Sequence, residues 1–302
     1  MSRQKSDQLI RRKGIILAGG SGTRLFPLTV AVCKQLLPVH DKPMIYYPLT
    51  TLMLASIREI LVISTQETVP LLERLLGDGS HLGLDISYAV QPKPNGISEA
   101  LVIGANFIGD SPVALILGDN IFYGEGLPKT LQTIAADEST ATIFGYPVAD
   151  PERFGVVTID NNGQALDLKE KPDNPDSNLA VPGLYFYNAD VVDLARNIQP
   201  DSGGEKQITT LNKTLLDQGK LRVEVLSRGW AWLDSGTPNS LLSAGTFAHV
   251  LEQRTGLKLA CPEEVAFRMG CIKADQVRLL AESYGNCDYA RYLLDLLAME
   301  KQ

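Results

Sequence analysis

Histidine, cysteine and tryptophan are scarce in this chain, at 3, 4 and 2 of 302 residues. Cys33, Cys261, Cys271 and Cys287 form no C-x-x-C pair and have no histidine at metal-ligand spacing. A zinc site is therefore not expected, and the thiols read as reduced. His40, His81 and His249 are isolated, and no Ser–His–Asp or Cys–His arrangement for covalent catalysis is evident. No apolar run reaches the ~18 residues of a transmembrane candidate, so no membrane span is expected. Positive charge is in deficit, with 28 Lys and Arg against 35 Asp and Glu and a formal net charge of −7. That argues against a nucleic-acid-binding domain, whose surface is normally basic. It does not oppose a local basic site for phosphates. The opening MSRQKSDQLIRRK has basic residues but no apolar centre, so it is not expected to be a secretory signal. Residues 1–12 are expected to be a flexible polar extension, and the protein is expected to be cytoplasmic.

What is present begins at Gly14. GIILA is a short apolar run of buried-strand type that empties into Gly19-Gly20-Ser21-Gly22-Thr23-Arg24, with Lys34 ten residues beyond Arg24. Glycines at a strand's carboxyl end let backbone N–H groups close around a polyphosphate. Arg24 and Lys34 supply positive charge, the first as a planar fork and the second as a mobile point charge. An anionic ligand is implied, and a triphosphate suits it best. The Walker string GxxxxGK[ST] is absent. A dinucleotide fingerprint fails as well, because Leu25 stands where the third glycine of G-x-G-x-x-G belongs.

With 44% hydrophobic residues, the chain can bury one large core or two modest ones. The first half alternates expected strands at 14–18, 59–64, 85–90 and 113–117 with helical patterns near 42–55, 68–76, 97–107 and 126–136. The middle is richer in strands, at 141–147, 154–159, 165–169, 181–187 and 221–226, with helices near 189–197 and 208–218. A long helix is expected over 237–255, and apolar spacing marks a helical tail over 274–283 and 288–299. The fold class is α/β: a Rossmann-like, mainly parallel but mixed central sheet flanked by helices, with a C-terminal helical appendix. One α/β unit is placed at 13–250, followed by the helical appendix at 251–302. Asp119 follows an apolar strand and a glycine, and Asp234 sits in WLDSG. Two carboxylates at strand ends can converge on a cation, although aspartates at such places also simply cap turns.

The string L-A-G-G-S-G-T-R-L, then K-Q-L-L-P and D-K-P-M-I-Y-Y-P, resembles the sugar nucleotidyltransferase family, and within it the glucose-1-phosphate thymidylyltransferases of the long bacterial form. The likeness runs from Lys13 to the C-terminus through GDG (77–79), YAVQPKPNG (88–96), LGDN (117–120), DPERFGVV (150–157), KEKP (169–172), GLYFY (183–187), WAWLDSGT (230–237) and GLKLACPEEVAFR (256–268). It implies that dTTP and α-D-glucose 1-phosphate give dTDP-glucose and pyrophosphate, with Mg²⁺ on Asp119 and Asp234. Arg24 and Lys34 would complete the catalytic set. Leu17, Gly19, Gly20, Gly22, Thr23, Arg24 and Asp119 would line the nucleotide site, with Gln91 and Gly96 reading the base. Gly155, Glu170, Lys171 and Val181 would hold the sugar phosphate. The resemblance further implies that the catalytic unit, 13–250, is nucleotide-binding to about 125 and sugar-phosphate-binding beyond it, that 251–302 serves oligomer and regulatory contacts, and that a homotetramer feeds deoxysugar (dTDP-rhamnose) and cell-surface polysaccharide synthesis. Feedback by a dTDP-sugar effector would act at Glu264, Val265 and Arg268.

The pattern breaks in places. Gly203, Gln207 and Thr210 replace the arginine, glutamate and aspartate of a family stretch that reads R-G-E-L-E-I-T-D. Ser98-Glu99 replaces a usual Ala-Gln, Thr158 a frequent Glu, and Phe154 a frequent Tyr. These changes put sugar grip and substrate choice in question, and leave open a relative using UTP or another sugar phosphate. They also motivate a second reading, a non-catalytic dTDP-sugar sensor.

Overall fold

Val, Ile and Leu dominate the first expected strands, and those runs build the centre of one sheet in the computed structural model, which describes residues 12–20 and 22–299. The strands are β1 (Lys13–Leu17), β2 (Pro38–Val39), β3 (Lys42–Pro43), β4 (Glu59–Ser64), β5 (Asp85–Val90), β6 (Val113–Leu117) and β7 (Asn120–Gly124), followed by β8 (Ala141–Pro147), β9 (Gly155–Ile159), β10 (Ala165–Glu170), β11 (Leu179–Ala180), β12 (Leu184–Tyr187), β13 (Leu221–Val225) and β14 (Trp230–Asp234). The main sheet runs β10-β9-β11-β8-β12-β6-β1-β4-β5, with β13 joined to β8. Its block β6-β1-β4-β5 is parallel, with Ile15 opposite both Leu61 and Leu115. Strand β12 adds antiparallel to β6 and so makes the sheet mixed. Continuous apolar strands fit this place because helices cover both faces.

The helices are α1 (Tyr46–Leu54), α2 (Val69–Leu76), α3 (Glu99–Ile103), α4 (Ala105–Ile108), α5 (Leu127–Ala136), α6 (Val191–Asn197), α7 (Ile208–Asp217), α8 (Pro238–Thr255), α9 (Pro262–Arg268), α10 (Ala274–Ser283) and α11 (Asp288–Met299). One face carries α1, α2 and α5 together with the C-terminal helices. Ile45, Leu49, Leu82, Ala266, Val277 and Leu293 belong to a single buried cluster, so the helical appendix shares the main core. The other face carries α3, α4, α6 and α7 through Leu101, Ile108, Val192, Leu211 and Leu215. The long α8 has both ends fixed locally. Thr237 Oγ1 accepts from Ser240 N and Ser240 Oγ from Thr237 N, and Gly256 ends the helix at φ +69°.

Three expected elements change shape. The helix expected from 42 begins at Tyr46, because Lys42-Pro43 pairs with Pro38-Val39 as a hairpin. The 97–107 helix divides at Gly104, which packs so tightly on β1 that an added Cβ would lie 2.8 Å from Ile15 Cδ1. The 181–187 strand is shortened to β12, since Val181–Gly183 is a break between it and the two-residue β11 that precedes the expected range. Residues 1–11 of the expected extension lie outside the described residues. Its last residue, Arg12, does not behave as part of a tail. It is 2% exposed and donates to Val113 O, Ala135 O, Asp137 O and Tyr187 O.

Candidate functional site

The parallel strands end at one edge of the sheet, where a cavity of about 650 Å³ opens. That size is ordinary for a small-molecule site. Leu17, Gly19, Gly20, Gly22, Thr23 and Arg24 line it from the end of β1, and Lys34 joins them from the following loop. Gly20 has φ +111°, a conformation that side-chain-bearing residues avoid, so the chain can turn sharply out of the sheet. Thr23 and Arg24 stand exposed at the mouth, while Lys34 is buried deeper.

Asp119 and Asp234 reach the cavity on an antiparallel ribbon. Strand β14 pairs with β7 so that Asp234 lies opposite Asn120, and Ser235 N donates to Asp119 O at 3.2 Å. The two carboxyls are therefore held side by side by backbone hydrogen bonds. Burial pushes the Asp234 carboxyl upward, and the negative charge of Asp119 adds to that push. Arg153, Lys34 and Arg24 offset it. Lys34 Nζ is ion-paired with Asp119 Oδ2, and Arg153 Nη2 lies 3.6 Å from Asp234 Oδ2. A half-buried pair of carboxylates that repel each other, with oxygen as the only donor, matches what a hard divalent cation requires. Asn120 sets the angle of Asp119. Its Oδ1 accepts from Gly183 N at 2.9 Å and Trp232 Nε1 at 2.7 Å, so its Nδ2 must face Asp119 Oδ1, 2.8 Å away.

Gln91 lies at the end of β5 and Gly96 on the loop that follows. Gly96 has φ +102°, and a Cβ there would come within 2.5 Å of Lys206 O. This close approach lets Lys206 pair with the loop, its N–H donating to Asn95 O at 2.7 Å and its carbonyl accepting from Ser98 N at 3.3 Å. On the opposite wall are Gly155, Glu170, Lys171 and Val181. Thr209 Oγ1 donates to Glu170 Oε2, and an added Cβ at Gly155 would stand 3.0 Å from Thr209 Oγ1. Lys171 is exposed at the rim, 3.3 Å from Glu170 Oε1.

Every residue expected in the nucleotide, sugar-phosphate or cation sets lines this one cavity. Glu264, Val265 and Arg268 do not line it; they lie on α9. Glu264 is buried, accepts from Arg268 Nε at 2.7 Å and from Tyr292 Oη, and Val265 packs against the main core. Of the positions that break the family pattern, Phe154 and Gln207 line the cavity, the latter with its amide turned to Asp201 and Glu205. Gly203 is exposed. The sequence reading passed over Asn120, Arg153, Thr209 and Trp232. Arg153 was visible as the cation in DPERF, and Trp232 as the aromatic two residues before Asp234. Thr209 carries no such mark, since its role depends on a partner 39 residues away.

The nucleotidyl transferase family model matches residues 13–250. The chain is 56% identical over 285 residues to the glucose-1-phosphate thymidylyltransferase of Mycobacterium tuberculosis (strain CDC 1551 / Oshkosh), a match covering 94% of this chain and 99% of that one. Its counterpart from Xanthomonas campestris pv. campestris (strain B100) is 53% identical over 288 residues, covering 95% and 98%. A crystal structure of a Bacillus anthracis chain described as a glucose-1-phosphate thymidylyltransferase, in complex with sucrose, superposes with a TM-score of 0.73. It is 38% identical and covers 78% of this chain and 95% of its own. A UDP-glucose pyrophosphorylase complexed with UDP-glucose shares the fold at a TM-score of 0.70 and 24% identity, covering 80% of this chain and 99% of its own.

Proposed function

The chain belongs to the nucleotidyl transferase family, and we propose that it transfers a thymidylyl group from dTTP to α-D-glucose 1-phosphate, giving dTDP-glucose and pyrophosphate. The observation that carries this reading is the joining of three features in one cavity: a glycine turn with two cations, a paired-carboxylate ribbon, and opposed walls for base and sugar. The phosphate of glucose 1-phosphate is already ionised at neutral pH, so its oxygen can attack the α-phosphorus in line without a base. Arg24 and Lys34 counter the charge that gathers on the pentacoordinate phosphorus and the departing pyrophosphate. Gln91 and Gly96 face the base, while Glu170 accepts from sugar hydroxyls and Lys171 meets the sugar's phosphate. Opposed walls hold the two reactants as neighbours, which removes much of the entropic cost of their encounter. Asp119 and Asp234 are the residues that would hold Mg²⁺, which when bound polarises the α-phosphate and neutralises its charge.

The same proposal includes a cytoplasmic homotetramer and feedback by a dTDP-sugar at Glu264, Val265 and Arg268. Among the described residues, no helix is long and apolar enough to cross a membrane. An effector on α9 would have to exchange the bonds that Arg268 and Tyr292 now make to Glu264.

The test is pyrophosphate release from purified protein with Mg²⁺, dTTP and glucose 1-phosphate, beside UTP and sugar-free controls. Rapid, sugar-dependent release favouring dTTP supports the proposal. Preference for UTP would move the protein to another branch of the family. No release at millimolar substrate, from protein that binds dTDP-glucose, would make it a sensor. The wall contact gives a second expectation. Thr209→Val frees Glu170 to rotate, and should raise the KM for glucose 1-phosphate about tenfold, the loss of one charge-assisted hydrogen bond. The KM for dTTP should not move; an equal rise in both would remove Thr209 from the sugar wall.

A further inference from the structure

The base loop contains a carboxylate that the proposed reaction leaves without a task. Glu99 Oε2 accepts from Gln91 Nε2 at 2.8 Å, and its Oε1 accepts from Asn95 Nδ2, also at 2.8 Å. An ionised carboxylate only accepts, so neither amide can turn over without bringing two oxygens together at hydrogen-bond distance. Gln91 Nε2 also points toward Gly96 O, 3.5 Å away. Its donor end is thus committed to the protein. The acceptor end is not: among the described residues no donor reaches Gln91 Oε1. That oxygen lies over Gly19, close enough that an added Cβ there would stand 2.8 Å from it. Gln91 is 6% exposed and lines the cavity, so its one unpartnered polar atom faces the ligand space beside the phosphate turn.

We propose that Glu99 is a positioning residue for base choice: it fixes Gln91 with the carbonyl oxygen toward the ligand, so that the site accepts bases carrying a ring N–H and rejects cytosine. This rests on the reading that the base lies against Gln91. Thymine and uracil present an N3–H donor to that oxygen. Cytosine presents a lone pair at the same atom, and two facing acceptors in a buried site leave both unpaired. With glutamate at position 99 the amide has one allowed orientation. With the glutamine that the family usually carries there it has two, because that side chain can both donate and accept, so this chain should hold its base choice more tightly than those relatives.

The experiment is equilibrium binding of dTTP and dCTP to wild-type protein and to Glu99→Gln, in the absence of sugar phosphate, so that no turnover is needed. Wild type should favour dTTP by roughly a hundredfold. In Glu99→Gln the dTTP affinity should change by less than about threefold, while the dTTP:dCTP ratio falls about tenfold or more, since Gln91 can now present either end. Glu99→Leu, which holds neither amide, should lose the ratio and weaken dTTP as well. A Glu99→Gln protein that keeps the wild-type ratio overturns the proposal. Equal weakening of both nucleotides also overturns it, because that marks mere support of the loop. Wild-type protein that binds neither nucleotide removes the base site and the proposal with it. If dTTP binds but no sugar phosphate is turned over, the transferase reading fails while the ratio still decides the role of Glu99.

Discussion

Asp119→Asn is expected to lower kcat for pyrophosphate release by about a thousandfold, close to 4 kcal/mol of transition-state stabilisation. The substitution keeps the size of the side chain and the oxygen that accepts from Asn120 Nδ2. It removes one of the two charges that would hold the cation, and it leaves Lys34 without its partner carboxylate. Raising the Mg²⁺ concentration should recover part of the rate, because the loss lies in holding the ion. The Asp119→Asn, Asp234→Asn double variant should be little worse than either single one, as expected for residues that act as a unit. Circular dichroism and the thermal midpoint should remain near wild type, since both residues are on the cavity wall and neither is part of a buried cluster. Activity within tenfold of wild type in Asp119→Asn would sink the carboxylate-pair assignment.

Arg12→Met should destabilise the fold by about 3–5 kcal/mol, among the larger losses a point substitution can cause. The guanidinium spends its donors on four carbonyls: Nε to Ala135 O at 2.9 Å, Nη2 to Asp137 O at 2.6 Å, and Nη1 to Tyr187 O at 2.7 Å and Val113 O at 3.2 Å. It also lies 5.5 Å from the centre of the Phe186 ring. Ala135 and Asp137 are at the carboxyl end of α5, so the arginine caps that helix from outside and ties it to β6 and β12. Burial lowers its pKa to about 10, with the charges of Glu138 and Asp137 working against the shift. The group therefore stays ionised at neutral pH, and no methionine can replace its donors. The loss should appear as a drop of about 10 °C in the unfolding midpoint. Arg12→Lys, with a point charge in place of a fork, should fall between the two. A Met variant within 1 kcal/mol of wild type would show that these bonds add nothing beyond what water supplies to the open chain.

Both expectations bear on what a sequence can display. Strands β1, β4 and β6 were legible because each is a largely continuous apolar run ended by glycine or a polar turn, and burial on both faces requires that composition. The residues around the cavity were legible for a related reason. Phosphate, cation and sugar chemistry call for glycines, aspartates and lysines at strand ends, where they stand out against the apolar runs. The β7–β14 ribbon was not legible. Its strands lie more than a hundred residues apart, and Trp230–Asp234 is only partly buried, so neither strand shows a strong period of its own. Arg12 was misplaced because a cation beside MSRQKSDQLIR reads as more tail; its partners are supplied by residues 101 to 175 positions away. The break at Gly104 had the same origin, since what demands a glycine there is the Ile15 side chain from a different element.

The ribbon also affects how this cavity can diversify. Because Asp234 pairs with Asn120 and Ser235 N donates to Asp119 O, the spacing of the backbone that carries the two carboxyls is written in the ribbon's hydrogen bonds. Exposed positions such as Tyr123 can drift without altering that spacing, while the cavity walls at Gln91 and at Glu170 come from other elements altogether. A lineage can therefore vary the 91–99 and 201–210 segments of the cavity wall while the ribbon that carries Asp119 and Asp234 is inherited intact.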